Sequence, residues 1–355
     1  TQRRIRSKRG ERTMASAVPQ PPPVKELAII GAGGWGTALA IVLSPRFNRI
    51  RLWVYEQDLA ARMRDTREND LFLPGFRLPV NVEVTTESGA ALEGADVVLG
   101  VMPSHHARRV YGEMLPHLDS RMFLVSATKG LENDTLLRMS EVIRDVVRAR
   151  FESRVAALSG PTFAREVAAG EPTAVVIASE DEATARTIQA AFSGPTFRLY
   201  TNNDPVGVEI GAAVKNVIAI GAGVCKGMGL GSNAVAALIT RGLAEITRLA
   251  VAMGGKPMTL AGLAGLGDLV LTCTGELSRN RSVGLKLAAG QSLDEIVGSM
   301  RMVAEGIKTT RAAVDLARRH GVEMPITQQM YRMLFDGKPP REAIRELMER
   351  SLKGE

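Results

Sequence analysis

A doubly wound α/β half followed by an all-helical half is the fold class that this 355-residue sequence predicts. Three observations carry it. A short apolar run, Leu27–Ile30, enters a complete G-x-G-x-x-G (Gly31, Gly33, Gly36), and an Ala/Leu-rich segment from Thr37 to Leu43 follows it. From Leu27 to about Tyr200, short β-rich runs alternate with helical patterns, as a parallel doubly wound sheet requires. Beyond Asn202 no convincing strand pattern remains. The length suits two domains. We expect a basic, Pro-linked disordered extension at 1–24, a Rossmann-like NAD(P)-binding domain at 25–202 and an all-helical substrate domain at 203–355.

The elements follow in order. Strands are expected at Leu27–Ile30, Arg51–Tyr55, Val97–Val101, Met122–Ser126, Val155–Leu158, Ala174–Ala178 and Phe197–Leu199. Leu71 to Val80, with Pro74, Gly75 and Pro79, reads as a loop. Leu136, Met139, Ile143 and Val147 recur at helical spacing and mark an amphipathic helix. In the second half, helices are expected at Glu209–Val224, Ala234–Met253, Arg279–Ala289, Thr309–His320 and Pro340–Leu352.

Composition narrows the function. Apolar content of 45% and charged content of 23% are ordinary for a globular protein. Of the net charge of +7, residues 1–13 supply +5, through six Arg/Lys against Glu11. The rest is nearly balanced and lacks a basic stripe interleaved with aromatics, so nucleic acid is not the expected partner. The basic segment has no apolar stretch of the kind a secretory signal needs. No run of ~18 uninterrupted apolar residues suggests a membrane span. Cys225 and Cys273, two and widely spaced, fit buried thiols in a reducing, cytoplasmic compartment. No Cys/His/carboxylate spacing suggests a metal.

In the glycine turn, Gly31 permits a tight turn, Gly33 lets the backbone approach a pyrophosphate, and Gly36 lets helix and strand pack closely. Glu56, twenty residues after Gly36, stands where an acidic residue accepts the ribose hydroxyls and repels a 2′-phosphate. That favours NAD over NADP, with Arg62 and Arg64 near enough in sequence to oppose it, and a solvent-facing Glu as the plain alternative. Turns after three successive strands, Pro103-Ser104-His105, Thr128-Lys129-Gly130 and Gly160-Pro161-Thr162, converge on one sheet edge. His105 and His106 read as turn or accessory residues rather than catalysts. Lys215 stands in an almost wholly apolar helix, where desolvation lowers an ammonium's pKa towards neutrality and suits it to proton transfer. A Lys snorkelling to the helix edge is the alternative. Asn216 and Asp268 are candidates to orient the ammonium. Ser278-Arg279-Asn280-Arg281 opens a helix and makes an anion seat suited to a phosphate, unless it is merely a solvated basic helix start.

Taken in order, GAGGWGTALA (31–40), PSH (103–105), ATKGLE (127–132), SGPTFAREVAAG (159–170), GAAVKNVIAIGAG (211–223), LITRGLAE (238–245), AGLGDLVLTCT (264–274), SRNR (278–281) and EGIKT (305–309) resemble the NAD(P)-dependent glycerol-3-phosphate dehydrogenase family. The resemblance covers about residues 25–345. It implies reversible reduction of dihydroxyacetone phosphate to sn-glycerol 3-phosphate for glycerophospholipid synthesis, with Lys215 as proton donor and acceptor. It implies substrate contacts from Lys129, Gly160, Thr162, Asp268, Ser278, Arg279 and Asn280. It implies cofactor contacts from Gly34, Trp35, Tyr55, Lys129, Ala164, Arg279, Val303 and Glu305, beside Gly31, Gly33, Gly36 and Glu56. A homodimer without metal is expected. The alternatives are a related two-domain reductase of another hydroxy acid or sugar phosphate, and a non-catalytic NAD(H)-sensing protein.

Overall fold

The structure, a computed structural model, describes residues 24–300 and 304–351. The expected N-terminal extension, apart from Val24, therefore lies outside the described residues, as does Val303. Eight strands form one sheet in the order β3-β2-β1-β4-β5-β6-β7-β8. They are β1 (Glu26–Ile30), β2 (Arg49–Trp53), β3 (Val82–Thr85), β4 (Val97–Gly100), β5 (Phe123–Ser126), β6 (Arg154–Ser159), β7 (Thr173–Ala178) and β8 (Phe197–Asn202). The order reverses between β1 and β4, which opens a crevice at their carboxyl ends.

Seven helices accompany the sheet: α1 (Gly34–Leu43), α2 (Gln57–Thr66), α3 (Ser88–Leu92), α4 (Ala107–Met114), α5 (Met139–Val147), α6 (Ala164–Ala168) and α7 (Glu182–Phe192). Both faces of the sheet are covered, so the strands read as continuous apolar runs. Leu27 and Ile29 pack with Leu39, Leu59, Met63 and Phe192 on one face. Ala28 and Ile30 pack with Val110, Met114 and Ile143 on the other. Each of these fully buried large aliphatic side chains contributes about 1.5–3 kcal/mol.

Three expectations are corrected. A strand at Val82–Thr85 was not anticipated, because this edge strand has four residues and buries only Val82 fully. The helix expected from Leu136 starts at Met139; Leu136 has φ 63° in a turn closed by its N–H on the Glu132 carbonyl. The sheet is not wholly parallel, since β7 pairs antiparallel with β6. The connection between them, residues 160–172, carries only the five-residue α6, and β7 enters the sheet running opposite to β6.

After Asn202 the described residues form helices alone: α8 (Pro205–Gly227), α9 (Ser232–Ala252), α10 (Pro257–Leu260), α11 (Asp268–Thr274), α12 (Arg279–Ala288), α13 (Leu293–Gly298), α14 (Glu305–His320), α15 (Pro325–Phe335) and α16 (Pro340–Met348). A π-helical turn, Leu263–Gly267, leads into α11. Four of these helices and the π turn were not anticipated, being short or rich in polar residues. Helix α8 is the axle of this half. It is long and apolar enough to cross a membrane, yet its apolar window is wholly buried, wrapped by α9, α11, α12, α14 and α15. Asp204 caps its N-terminus and also accepts from the Lys256 N–H.

Candidate active site

The glycine turn leaves β1 and enters α1. Gly31 has φ +116°, and a Cβ there would lie 2.5 Å from the Val101 carbonyl oxygen. A Cβ on Gly36 would overlap the Gly31 carbonyl, so α1 can begin this close to the turn only with glycine there. Gly33 differs: a Cβ on it would meet nothing within 4 Å. It is the N-cap of α1 and no side chain caps that helix. The open ground beside uncapped N–H groups fits the pyrophosphate of a dinucleotide. Gly34 backs onto the Phe72 carbonyl and Ala164, while the Trp35 indole N–H is buried with no partner among the described residues. Tyr55 is 64% exposed just beyond β2, with the Arg109 guanidinium over its ring. Glu56, exposed, is the N-cap of α2 but caps nothing with its side chain. Arg62 is engaged by Asp70 and Arg64 by the Val84 carbonyl.

Elsewhere in the fold two lysines meet on one carboxylate. Asp268, 1% exposed at the start of α11, accepts from Lys129 Nζ through Oδ2 at 2.9 Å and from Lys215 Nζ through Oδ1. Lys129 also donates to the Gly160 carbonyl (2.8 Å) and Thr162 Oγ1 (2.9 Å), which uses all three of its donors. Lys215, 4% exposed in the middle of α8, donates in addition to Thr272 Oγ1 at 2.7 Å. Thr272 spends its own proton on the Asp268 carbonyl, so it can only accept from the lysine. Among the described residues, Lys215 thus keeps one N–H unspent. Burial pulls its pKa down to about 8 against the opposing pull of Asp268.

The neighbouring side chains form a second chain of bonds. Asn216 does not orient the Lys215 ammonium, as expected, but reaches the Lys129 and Ala212 carbonyls. Asn280 donates to Asn216 Oδ1 (2.9 Å) and accepts from the Gly306 N–H (2.9 Å). Ser278 caps α12 through the Arg281 N–H, and Arg279 stands exposed at that helix start, under the charge of Glu305. Glu305, the first residue of α14, accepts from the Ser104 N–H (3.2 Å) and hydroxyl (2.7 Å).

Two models of the NAD-dependent glycerol-3-phosphate dehydrogenase match the chain, the N-terminal one over residues 26–185 and the C-terminal one over 204–345. A Koribacter versatilis protein named glycerol-3-phosphate dehydrogenase (NAD(P)+) is 61% identical over 329 residues, 92% of this chain and 98% of the relative. The chain belongs to the NAD-dependent glycerol-3-phosphate dehydrogenase family. A Geobacter sp. protein of the same name is 56% identical over 93% of this chain and 99% of its own length. The crystal structure of glycerol-3-phosphate dehydrogenase from Coxiella burnetii superposes with a TM-score of 0.88 at 42% identity, over 93% of this chain and all of that one. A ketopantoate reductase from Ralstonia eutropha, at 18% identity and TM-score 0.56, shares the fold alone.

The residues that the dehydrogenase resemblance singled out thus fall into two groups. Gly31, Gly33, Gly34, Trp35, Gly36, Tyr55, Glu56 and Ala164 lie along the carboxyl edge of β1 and β2 and the neighbouring starts of α1, α2 and α6. Lys129, Gly160, Thr162, Lys215 and Asp268 are joined in one bonded cluster, to which Asn216 ties Asn280 and, through Gly306, Glu305, while Ser278 and Arg279 stand beside Asn280 at the start of α12. Sequence reasoning missed Thr272 and the Ser104–Glu305 contact. Thr272 was findable, because it stands one helical turn after Asp268 on the same face. The rings of His105 and His106 lie 3.9 Å apart between centroids, tilted by 45°, and make no bond to the lysine cluster among the described residues.

Proposed function

We propose that this chain catalyses reversible reduction of dihydroxyacetone phosphate to sn-glycerol 3-phosphate with a nicotinamide nucleotide. The observation that carries the reading is the Lys129–Asp268–Lys215 cluster, held through Thr162 on the turn that leads to Ala164 beside Gly34. Residues 25–202 serve as the nucleotide domain and 203–355 as the substrate domain. Gly31, Gly33, Gly34, Trp35, Gly36, Tyr55, Glu56 and Ala164 would hold the nucleotide, with Lys129, Arg279, Glu305 and Val303 closing on it. When bound, the nicotinamide supplies or takes the hydride.

The chain's own residues do the rest. Lys215 gives the proton of its unspent N–H to the substrate oxygen on C2 as that carbon is reduced, and in the reverse direction takes it back. Two ammonium groups against one carboxylate leave the pocket a net positive charge, which stabilises a developing alkoxide. Gly160 and Thr162 fix Lys129 and border the substrate. Ser278, Arg279 and Asn280 at the start of α12 hold the phosphate and hydroxyls, and this remote grip orients C2. No metal ion has a part in this scheme.

The same reading extends to NAD over NADP, a homodimer, a cytoplasmic location and a product used for glycerophospholipid synthesis. Mixing the full chain with NADH or NADPH and dihydroxyacetone phosphate should deplete the nicotinamide absorbance, and no oxidation with either nucleotide refutes the activity. The NAD preference is supported by the free carboxylate of Glu56 and by the engagement of Arg62 and Arg64 elsewhere. Glu56→Ala should raise the kcat/KM ratio of NADPH to NADH severalfold. An unchanged ratio removes Glu56 from cofactor choice.

A further inference from the structure

We propose that Ser104 is a positioning residue which, by holding Glu305, sets the Lys129 loop in register with the helical half. Ser104 follows β4 and Glu305 opens α14, 201 residues away in sequence, and two hydrogen bonds join them. Gly130, the neighbour of Lys129, packs against both. A Cβ on Gly130 would lie 2.6 Å from Ser104 Oγ and 2.7 Å from Glu305 Oε2. Gly306, the neighbour of Glu305, donates to Asn280, which donates to Asn216, which reaches the Lys129 carbonyl. The contacts close a ring: Ser104, Glu305, Gly306, Asn280, Asn216, Lys129, Gly130 and back to Ser104. It ties the ends of β4 and β5 to α8, α12 and α14. Among the described residues Ser104 makes no direct bond to Lys129, Asp268 or Lys215, so its influence on Lys129 passes through position.

The contact also sets the charge of Glu305. Burial raises its carboxyl, and the two Ser104 donors oppose that, as do Arg279 on α12 and Lys308 on its own helix; His105, beside Ser104, also lies in the field of Lys308. Loss of the Ser104 hydroxyl removes one of these opposing contacts, so Glu305 takes up its proton at a higher pH. A protonated Glu305 is a weaker acceptor for the two Ser104 donors, so the Ser104 contact loosens as pH falls.

The test rests on the reductase reading above. The kcat/KM for NADH with dihydroxyacetone phosphate is measured against pH for the full chain, Ser104→Ala, Gly130→Ala, Glu305→Gln and the Ser104→Ala/Glu305→Gln pair. In Ser104→Ala the acid limb should move up by about one pH unit, as expected for one lost hydrogen bond to a charged group. Gly130→Ala should reproduce that movement. In the Glu305→Gln background, Ser104→Ala should move nothing. A Ser104→Ala profile that superposes on the wild type overturns the proposal, as does a shift that survives in the Glu305→Gln background. Absence of any turnover by the wild type refutes the reductase reading instead; NADH affinity against pH, read by nicotinamide fluorescence, then makes the same comparison.

Discussion

Lys215→Ala should lower kcat for dihydroxyacetone phosphate reduction about a thousandfold and leave NADH affinity almost unchanged. General acid–base groups contribute on the order of a hundred- to ten-thousandfold. Lys215 lies on α8 and the glycine turn between β1 and α1, so its loss removes the proton donor without touching the nucleotide's expected seat. The same residue fixes a pH signature. Its pKa is lowered to about 8, so it is an ammonium below that pH and an amine above it. Reduction needs the ammonium, and its kcat should fall as pH rises through about 8. Oxidation of glycerol 3-phosphate needs the amine, and its kcat should rise through the same range. Steady-state kinetics in both directions checks this. A near-normal kcat in the variant removes Lys215 from the proton role, and limbs of the same sign in both directions contradict the assignment.

Asp268→Asn should damage both chemistry and stability. The carboxylate is buried and is the partner shared by two ammonium groups. Removing one member of a buried ion pair costs about 3–5 kcal/mol, because the remaining charge is left uncompensated. A loss of about 3 kcal/mol should be visible in denaturant unfolding. Asp268 also pulls the Lys215 pKa up against burial and against the charge of Lys129. Without it, Lys215 loses its proton at lower pH, so the alkaline limb of reduction should move below about 8. A stable variant whose limb stays in place refutes the bridging role.

Sequence alone revealed what depends on near neighbours. The turn at Gly31–Gly36 was legible because its constraints, a positive φ and a close approach of α1, act within six residues. Lys215 was legible because a cation in an apolar helix is anomalous wherever the helix goes. Asp268 could be suspected, but not its double engagement, since Lys129 stands 139 residues from it in sequence. Asn216 was given the wrong partner for a related reason. Adjacent residues on a helix point about 100° apart, so closeness to Lys215 in sequence did not bring it to the ammonium. Glu305 carried no signal of its own until α14 brought it to Ser104. The reversal of β7 escaped too, because a strand presents the same alternation of side chains to the two faces in either direction.

The burial of α8 has a consequence for the chain as it is made. Every helix that wraps this apolar segment follows it in sequence, and α15 ends more than a hundred residues after α8 does. At translation speeds of about 5–20 residues per second, the segment waits roughly 5–20 s for its last cover. Through that interval the nascent chain carries a stretch indistinguishable in length and hydropathy from a membrane span. The sheet half, already complete by Asn202, can fold in the meantime and offers β6 and β7 as the first surface on which that stretch can rest.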